Sequence, residues 1–504
     1  MLVDFRPHTR LRGTQPVDLT ASLVPVVEAL GEGAVDLAKV RVVSDWVQYR
    51  ENFRDVVDLR PILHSAPSAA GAGGAVPVPM GVREDDLEVA VDVRRSHDVA
   101  LKELTASLLR SAPDRVVLEG WGRGSESIVW DFNALYWSAL ELWEKATGRG
   151  YEQALPGGES DARNREAAHE LIDGLFAVWD RLSESNALPD ELYVVELGVG
   201  NGGQAKVFLD EFRKRDREHG RGYYRRLHYL MCDYSQHVLD LARETVAEHI
   251  AHVSSFALDA TRPRTSLGFL QYKVFLVYVS NVYDNLPTDE VAHLGGRTYC
   301  VQTRAYLPAA EAAELAGSVA ATTEELPALV QKLLRLGPAL LPEVAPAQFP
   351  DVDSAVAFWR RTWSALRQEE RYVPLLGLDT YPLTPVTGGA GQIPLSGELL
   401  RPLLESGADV RMHVNNGALA SFVDSLMLLH PFGTLVCHDL FVTDIGGYRT
   451  HFRGPGKYDG SVVNWVNGPL LAHVGRRRGF DVAYERFRHR SGGNIVTMTA
   501  QVRD

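Results

Sequence analysis

From Glu191 onward, short apolar runs alternate with stretches of helical periodicity. LYVVEL (Leu192–Leu197) leads into a helical run over Gln204–Arg217, and LHYLMCD (Leu227–Asp233) leads into SQHVLDLARETVAEHI. A third apolar segment, Val253–Leu258, stops at Asp259, and KVFLVYVS covers Lys273–Ser280. Runs this short, apolar throughout and rich in β-branched residues, predict strands buried on both faces. Alternating with helices, they predict a parallel sheet with right-handed crossovers. TLVCHDLFV (Thr434–Val442) resumes the rhythm, and FDVAYERFRHRSGGNIVTMTAQV ends it. The two alternating segments around Ser491-Gly492-Gly493 predict a closing antiparallel hairpin.

Other stretches follow other patterns. Leu171, Leu175, Val178 and Leu182 recur at helical spacing and predict a packed helix. IVWDFNALYWSALELW, Ile128–Trp143, has the spacing of an amphipathic helix whose aromatic residues pack into a core; lining a substrate pocket is the alternative. Residues 301–429 are Ala-, Leu- and Pro-rich, as in EAAELAGSVAATTEELPALVQKLLRL, and predict a helical insertion. Ser65–Gly81 reads as a linker or loop, and Ala154–Asn164 marks a second break. The expected organisation is an accessory region over 1–64, a linker over 65–82 and a mainly helical region over 83–185. A first core segment over 186–300, a helical substrate cover over 301–429 and a second core segment over 430–504 complete it.

Composition narrows the classes. The 504 residues include 45% hydrophobic and 23% charged, which excludes a disordered chain or a coiled-coil rod. With 52 Lys and Arg against 65 Asp and Glu, the net charge is −13, which argues against a nucleic-acid partner. The basic run Phe212–Arg226 reads as the solvated face of a helix. Three cysteines, Cys232, Cys300 and Cys437, offer neither a disulfide framework nor a paired zinc spacing. No stretch reaches the roughly 20 apolar residues of a membrane helix, and a cytoplasmic setting without a membrane partner is expected.

The chemistry centres on VVELGVGNGG, Val194–Gly203, where a buried strand runs into glycines and then a helix. Glycine permits a tight turn and close approach of backbone to a ligand. Read as Gly198-x-Gly200-x-x-Gly203, the string also fits a dinucleotide fingerprint, which keeps an NAD-dependent oxidoreductase open. Glu196 changes the balance, because an acid two residues before Gly198 suits an amino acid moiety better than a pyrophosphate. Asp233 ends the next strand, where a carboxylate can accept hydrogen bonds from ribose hydroxyls, and Ser235 follows it in D-x-S form. Asp259 ends the third segment. Glu196, Gly198, Gly200, Gly202, Asp233, Ser235 and Asp259 are the expected cofactor residues, although Asp233 and Asp259 also fit helix caps.

Together these features resemble the class I S-adenosylmethionine-dependent methyltransferases, whose Rossmann-like, mostly parallel sheet ends in an antiparallel final strand. Two further strings resemble the MidA-like family, which includes a protein arginine methyltransferase. In SNVYDNLPTDEV (Ser280–Val291), Asp284, Leu286 and Pro287 match that family's segment after the fourth strand, while Ser280 and Asn281 replace its polar pair. In YRTHFRGPGKYDGSVVNWV (Tyr448–Val466), Arg449, His451, Pro455, Gly456, Asp459 and Asn464 match. The resemblance covers roughly residues 190–300 and 430–504. It implies S-adenosylmethionine as cofactor, with Ser280 and Asn281 beside it. The acceptor would be a protein, a peptide or a small molecule.

Transfer of a methyl group from a sulfonium is an in-line displacement that needs alignment and exclusion of water, and no metal. Asp284 is the first candidate to orient the acceptor or take its proton, with Tyr283 beside it and His451 as a possible base. His438 and Asp439 end the fifth strand and point to opposite faces, so at most one serves the site. A non-catalytic assembly factor retaining the cofactor fold is the third reading.

Overall fold

The computed structural model describes residues 1–5, 20–33, 35–45, 51–67, 85–111, 113–150, 165–384, 395–405, 409–451, 454–489 and 493–503. Most of the Ser65–Gly81 break, the whole of Ala154–Asn164 and the Ser491-Gly492 turn lie outside them.

Seven strands form one sheet: β1 (Leu192–Leu197), β2 (Leu227–Asp233), β3 (Val253–Ala257), β4 (Val274–Ser280), β5 (Leu429–Asp439), β6 (Phe480–Arg486) and β7 (Val496–Val502). Their order is β6-β7-β5-β4-β1-β2-β3. From β3 to β5 every neighbour is parallel. β7 runs antiparallel to both β5 and β6. Helix α1 (Gly203–His219) follows β1, and α2 (Gln236–Thr245) follows β2. Consecutive connections diverge to either side of the β1–β4 boundary. In open sheets of this kind, ligands bind beyond the carboxyl ends of the strands at such a switch point.

The apolar strands bury both faces. Val194, Tyr229, Leu276, Tyr278 and Val436 share one cluster with Phe208 and Phe212 of α1 and with Ile172, Phe176 and Trp179 of the Arg165–Glu184 helix. Of the residues expected to face inward on that helix, Leu175 and Leu182 are buried, while Leu171 and Val178 are partly buried. On the other face, Val195, Leu197, Val277, Val279 and Cys437 join the helices Asn416–Leu426 and Gly468–Arg477.

The second sheet corrects the expected division of the chain. Its main path runs Leu2–Phe5, Val40–Asp45, Asp86–Asp92, Val57–Ile62, Arg367–Pro374, Arg297–Pro308, Asp289–Leu294, Val410–Val414. The amino-terminal region and the insertion therefore build one body, and the insertion is not purely helical. The first core segment, expected to reach 300, leaves its sheet before Asp289. There the chain enters a hairpin whose turn places Gly295 and Gly296 at φ 55° and 77°. Left-handed angles at both turn residues are what a two-residue hairpin requires, and a Gly-Gly pair supplies them. Helices of the insertion, among them Leu326–Leu336 and Val352–Ala365, pack around Trp130, Phe132 and Trp143. The aromatic run over Ile128–Trp143 is thus mainly core, divided between two helices at Ala139. Among the described residues, no helix is long and apolar enough to cross a membrane.

Candidate functional site

The loop after β1 lies at the switch point with all three glycines left-handed: φ is 75° at Gly198, 56° at Gly200 and 80° at Gly202. A Cβ at Gly198 would lie 2.3 Å from Val282 Cγ2, and one at Gly202 would lie 2.9 Å from the Ala242 Cα in α2. The amides of Gly198 and Val199 donate to the Cys232 carbonyl (2.8 and 3.1 Å), tying the loop to the end of β2. Asp233 accepts from the amides of Gly200 (3.2 Å) and Ser235 (3.1 Å), and the Ser235 hydroxyl caps α2 through the Val238 amide (3.3 Å). Loop, acid and cap form one unit, so each side chain limits where the others can move.

Two acids flank the glycines. Glu196 is 2% exposed and accepts a 2.6 Å hydrogen bond from the Tyr229 hydroxyl. Burial pushes its pKa up to about 8, against the pull of that hydrogen bond and with help from the Asp233 charge. Burial also pushes Asp233 up to about 6, although three backbone amides oppose it. A cation brought between the two would draw both toward their ionised forms. Tyr234, next to Asp233, leaves half its surface in solvent. Asp259 is exposed beyond β3, and its Oδ1 accepts from the Thr261 amide (2.8 Å) and hydroxyl (2.7 Å), closing a turn.

The end of β4 forms the opposite wall. Ser280 is half-buried across from His438 on β5. Asn281 is exposed at φ 56°, and its amide donates to the His438 carbonyl (2.9 Å). Tyr283, expected to face the acceptor, is instead a core side chain with no exposed surface. Its neighbours on the apolar face claim the ring, because the short helical turn over Tyr283–Asn285 rotates it inward. Asp284 is 1% exposed, sealed within the fold. It lies against Asp439 of β5, whose Oδ2 accepts from the amides of Val282, Tyr283 and Asp284. His438 is buried with its pKa pushed down to about 4 by desolvation, and its Nδ1 meets Thr497 Oγ1 at 3.0 Å. His451 ends the Ile445–His451 helix, and its side chain lies outside the described residues.

No family model matches the chain, and no curated protein matches it. Solved structures that resemble it include a COG1565 superfamily protein from Burkholderia thailandensis bound to S-adenosyl-homocysteine, at a TM-score of 0.44 and 13% identity, covering 76% of this chain and 88% of that one. An ACR, COG1565 superfamily protein from the same organism gives a TM-score of 0.40 at 12% identity, covering 76% and 87%. The CcbJ methyltransferase from Streptomyces caelestis gives 0.31 at 12% identity, covering 74% and 99%. Similarity of this degree does not say which residues of this chain act.

The second sheet adds a cleft that the hydrophobic pattern does not reveal. It encloses about 380 Å³, open solvent included, between Trp130, Thr288, Glu290, Thr303, Glu370 and Asn464. It adjoins the wall just described, because the Asn464 amide donates to the Asp284 carbonyl (2.9 Å) and the Asn133 amide group donates to the Asn285 carbonyl (2.9 Å). Arginines of the chain already engage the cleft's two carboxylates. Glu370 meets Arg54 (2.8 Å), Arg60 (3.0 Å) and Arg411 (2.9 Å), and Glu290 accepts from Arg411 Nε at 2.6 Å. Despite burial, those guanidiniums hold Glu370 well below the usual carboxylate range. Among the described residues, no three His, Cys, Asp or Glu side chains are grouped to hold a metal ion.

Proposed function

We propose that the protein is an S-adenosylmethionine-dependent methyltransferase with the class I sheet. The observation that carries this reading is the left-handed glycine loop lying between the buried Glu196 and the half-buried Asp233, at the switch point of the sheet. The residues fit the cofactor. Glycine at three left-handed positions gives the tight loop that such a cofactor needs, and in this reading Asp233 accepts from the ribose hydroxyls. In this reading Glu196 takes the ammonium group, and Tyr234 and Asp259 take the adenine side. The cofactor, when bound, supplies a methyl group activated by positive sulfur. The chain's own part is to bind, orient and exclude water, for which the half-buried Val282 against Gly198 serves.

Strand order separates this reading from an oxidoreductase. The usual dinucleotide fold continues 3-2-1-4-5-6 with all strands parallel. Here an antiparallel strand stands between β5 and β6. The acceptor, a protein, a peptide or a small molecule, enters in this reading through the cleft beside Asn464. Its carboxylates are taken by Arg54, Arg60 and Arg411, which supports an uncharged nitrogen or oxygen nucleophile over a guanidinium. Calorimetry of the full chain with S-adenosylhomocysteine and with NADH tests the cofactor. Binding of the first and not the second is expected, and the reverse overturns the proposal.

A further inference from the structure

Asp439 and Asp284 come from strand ends 155 positions apart in sequence, yet their carboxyl groups share one sealed space at 0% and 1% exposure. The donors around them are unequal. Asp439 Oδ2 accepts from three successive amides, Val282 (3.2 Å), Tyr283 (2.8 Å) and Asp284 (3.3 Å). Its Oδ1 accepts from the Leu440 amide at 2.7 Å. The Asp284 carboxyl accepts from the Asn285 side-chain amide at 2.7 Å and, among the described residues, lacks a comparable run of successive amides.

Two adjacent carboxylates without water repel, and the one with more N–H donors keeps the charge. Burial and the Asp439 charge drive Asp284 well above the usual carboxylate range, whereas Asp439 is pushed up only to about 6. Near neutral pH the pair therefore holds one proton, on Asp284, which donates to Asp439.

The clamp has a geometric consequence. Of residues 282–284, Val282 faces the glycine loop, and its side chain packs where a Cβ at Gly198 would stand. We infer that Asp439 is a positioning residue: by accepting from three successive amides it fixes residues 282–284 and thereby the spacing between Val282 and Gly198 on which the ligand site depends. This rests on the cofactor reading for its effect on ligand affinity, but not for the clamp itself.

Two isosteric substitutions separate the roles. In Asp284→Asn, the amide nitrogen donates to Asp439 and the oxygen accepts from Asn285, so the neutral acid is reproduced. In Asp439→Asn, a single oxygen cannot serve both Leu440 and the three loop amides. With S-adenosylhomocysteine as the probe, D439N is expected to lose at least tenfold in affinity and D284N less than threefold. Hydrogen exchange in the ligand-free protein is expected to accelerate at 282–284 in D439N alone. In a Glu196→Gln background, which removes the other buried protonated carboxyl, the infrared band of the protonated acid is expected to vanish on adding Asp284→Asn. A tenfold loss in D284N, or unchanged exchange at 282–284 in D439N, overturns the inference. If D439N does not fold, D284N and the infrared band still decide it. If the unaltered protein binds no S-adenosylhomocysteine, the cofactor reading fails while the exchange measurement still tests the clamp.

Discussion

Val282 occupies the space in front of Gly198: an added Cβ there would stand 2.3 Å from Val282 Cγ2, and the backbone at Gly198 is held at φ 75°. Both conditions exclude any other residue, one by contact and one by conformation. Gly198→Ala is therefore expected to destabilise the protein by roughly 1–3 kcal/mol in urea titration. Val282→Ala in the same chain relieves only the contact, so it should restore part of that loss. Full restoration would show that the left-handed conformation costs nothing.

Glu196 gives a pH signature. Its carboxyl remains protonated up to about 8 in the ligand-free chain, and an ammonium bound beside it favours the anion. Binding then releases a proton, so affinity for S-adenosylhomocysteine should climb from pH 6 to about 8 and level off. Glu196→Gln should remove that climb. Calorimetry in buffers of different ionisation enthalpy reads the proton directly.

The same residue affects stability without ligand. A carboxyl whose folded pKa of about 8 exceeds its ordinary value of 4.5 makes the native state progressively less stable as pH rises between those values. Glu196→Gln has no such dependence. The denaturation midpoint of E196Q should therefore rise relative to the unaltered protein from pH 4.5 to 8, with no further gain above.

Lys457 is a buried structural donor. Its Nζ donates to the carbonyls of Trp363 (2.6 Å), Ser364 (2.9 Å) and Leu366 (2.8 Å) at the end of the Val352–Ala365 helix, with the Phe53 and Trp363 rings nearby. Lys457→Met leaves those buried carbonyls without their donor. A loss of about 2–4 kcal/mol in urea titration is expected, with S-adenosylhomocysteine affinity in the surviving folded fraction unchanged.

Asp459 joins the late string of the chain to the aromatic helices. Its Oδ2 accepts from the Tyr136 hydroxyl and the Trp143 indole, each at 3.0 Å. Asp459→Ala should cost about 1–3 kcal/mol and alter the near-ultraviolet circular dichroism of the Trp143 environment, with far-ultraviolet signal retained.

The seven-stranded sheet is legible in the sequence because its central strands are uninterrupted apolar runs, with the glycine loop and Asp233 at their carboxyl ends. The second sheet is hidden because it buries charge. Arg60, Glu88, Glu290, Glu370 and Arg411 are all buried, and a hydrophobic pattern reads each as a solvent position. Their compensation comes from partners far along the chain, as in Arg54 with Glu370, 316 positions apart. Asp284 and Tyr283 are found by their motif, but not their depth. Burial there depends on Asp439 and on a helical turn that no local periodicity announces.

The most direct test is a crystal structure of the full chain grown with S-adenosylhomocysteine. Density for the ligand is expected over Gly198–Gly202, with its amino group toward Glu196 and its ribose hydroxyls on Asp233. A site left empty, or a ligand seated away from both acids, would contradict the account.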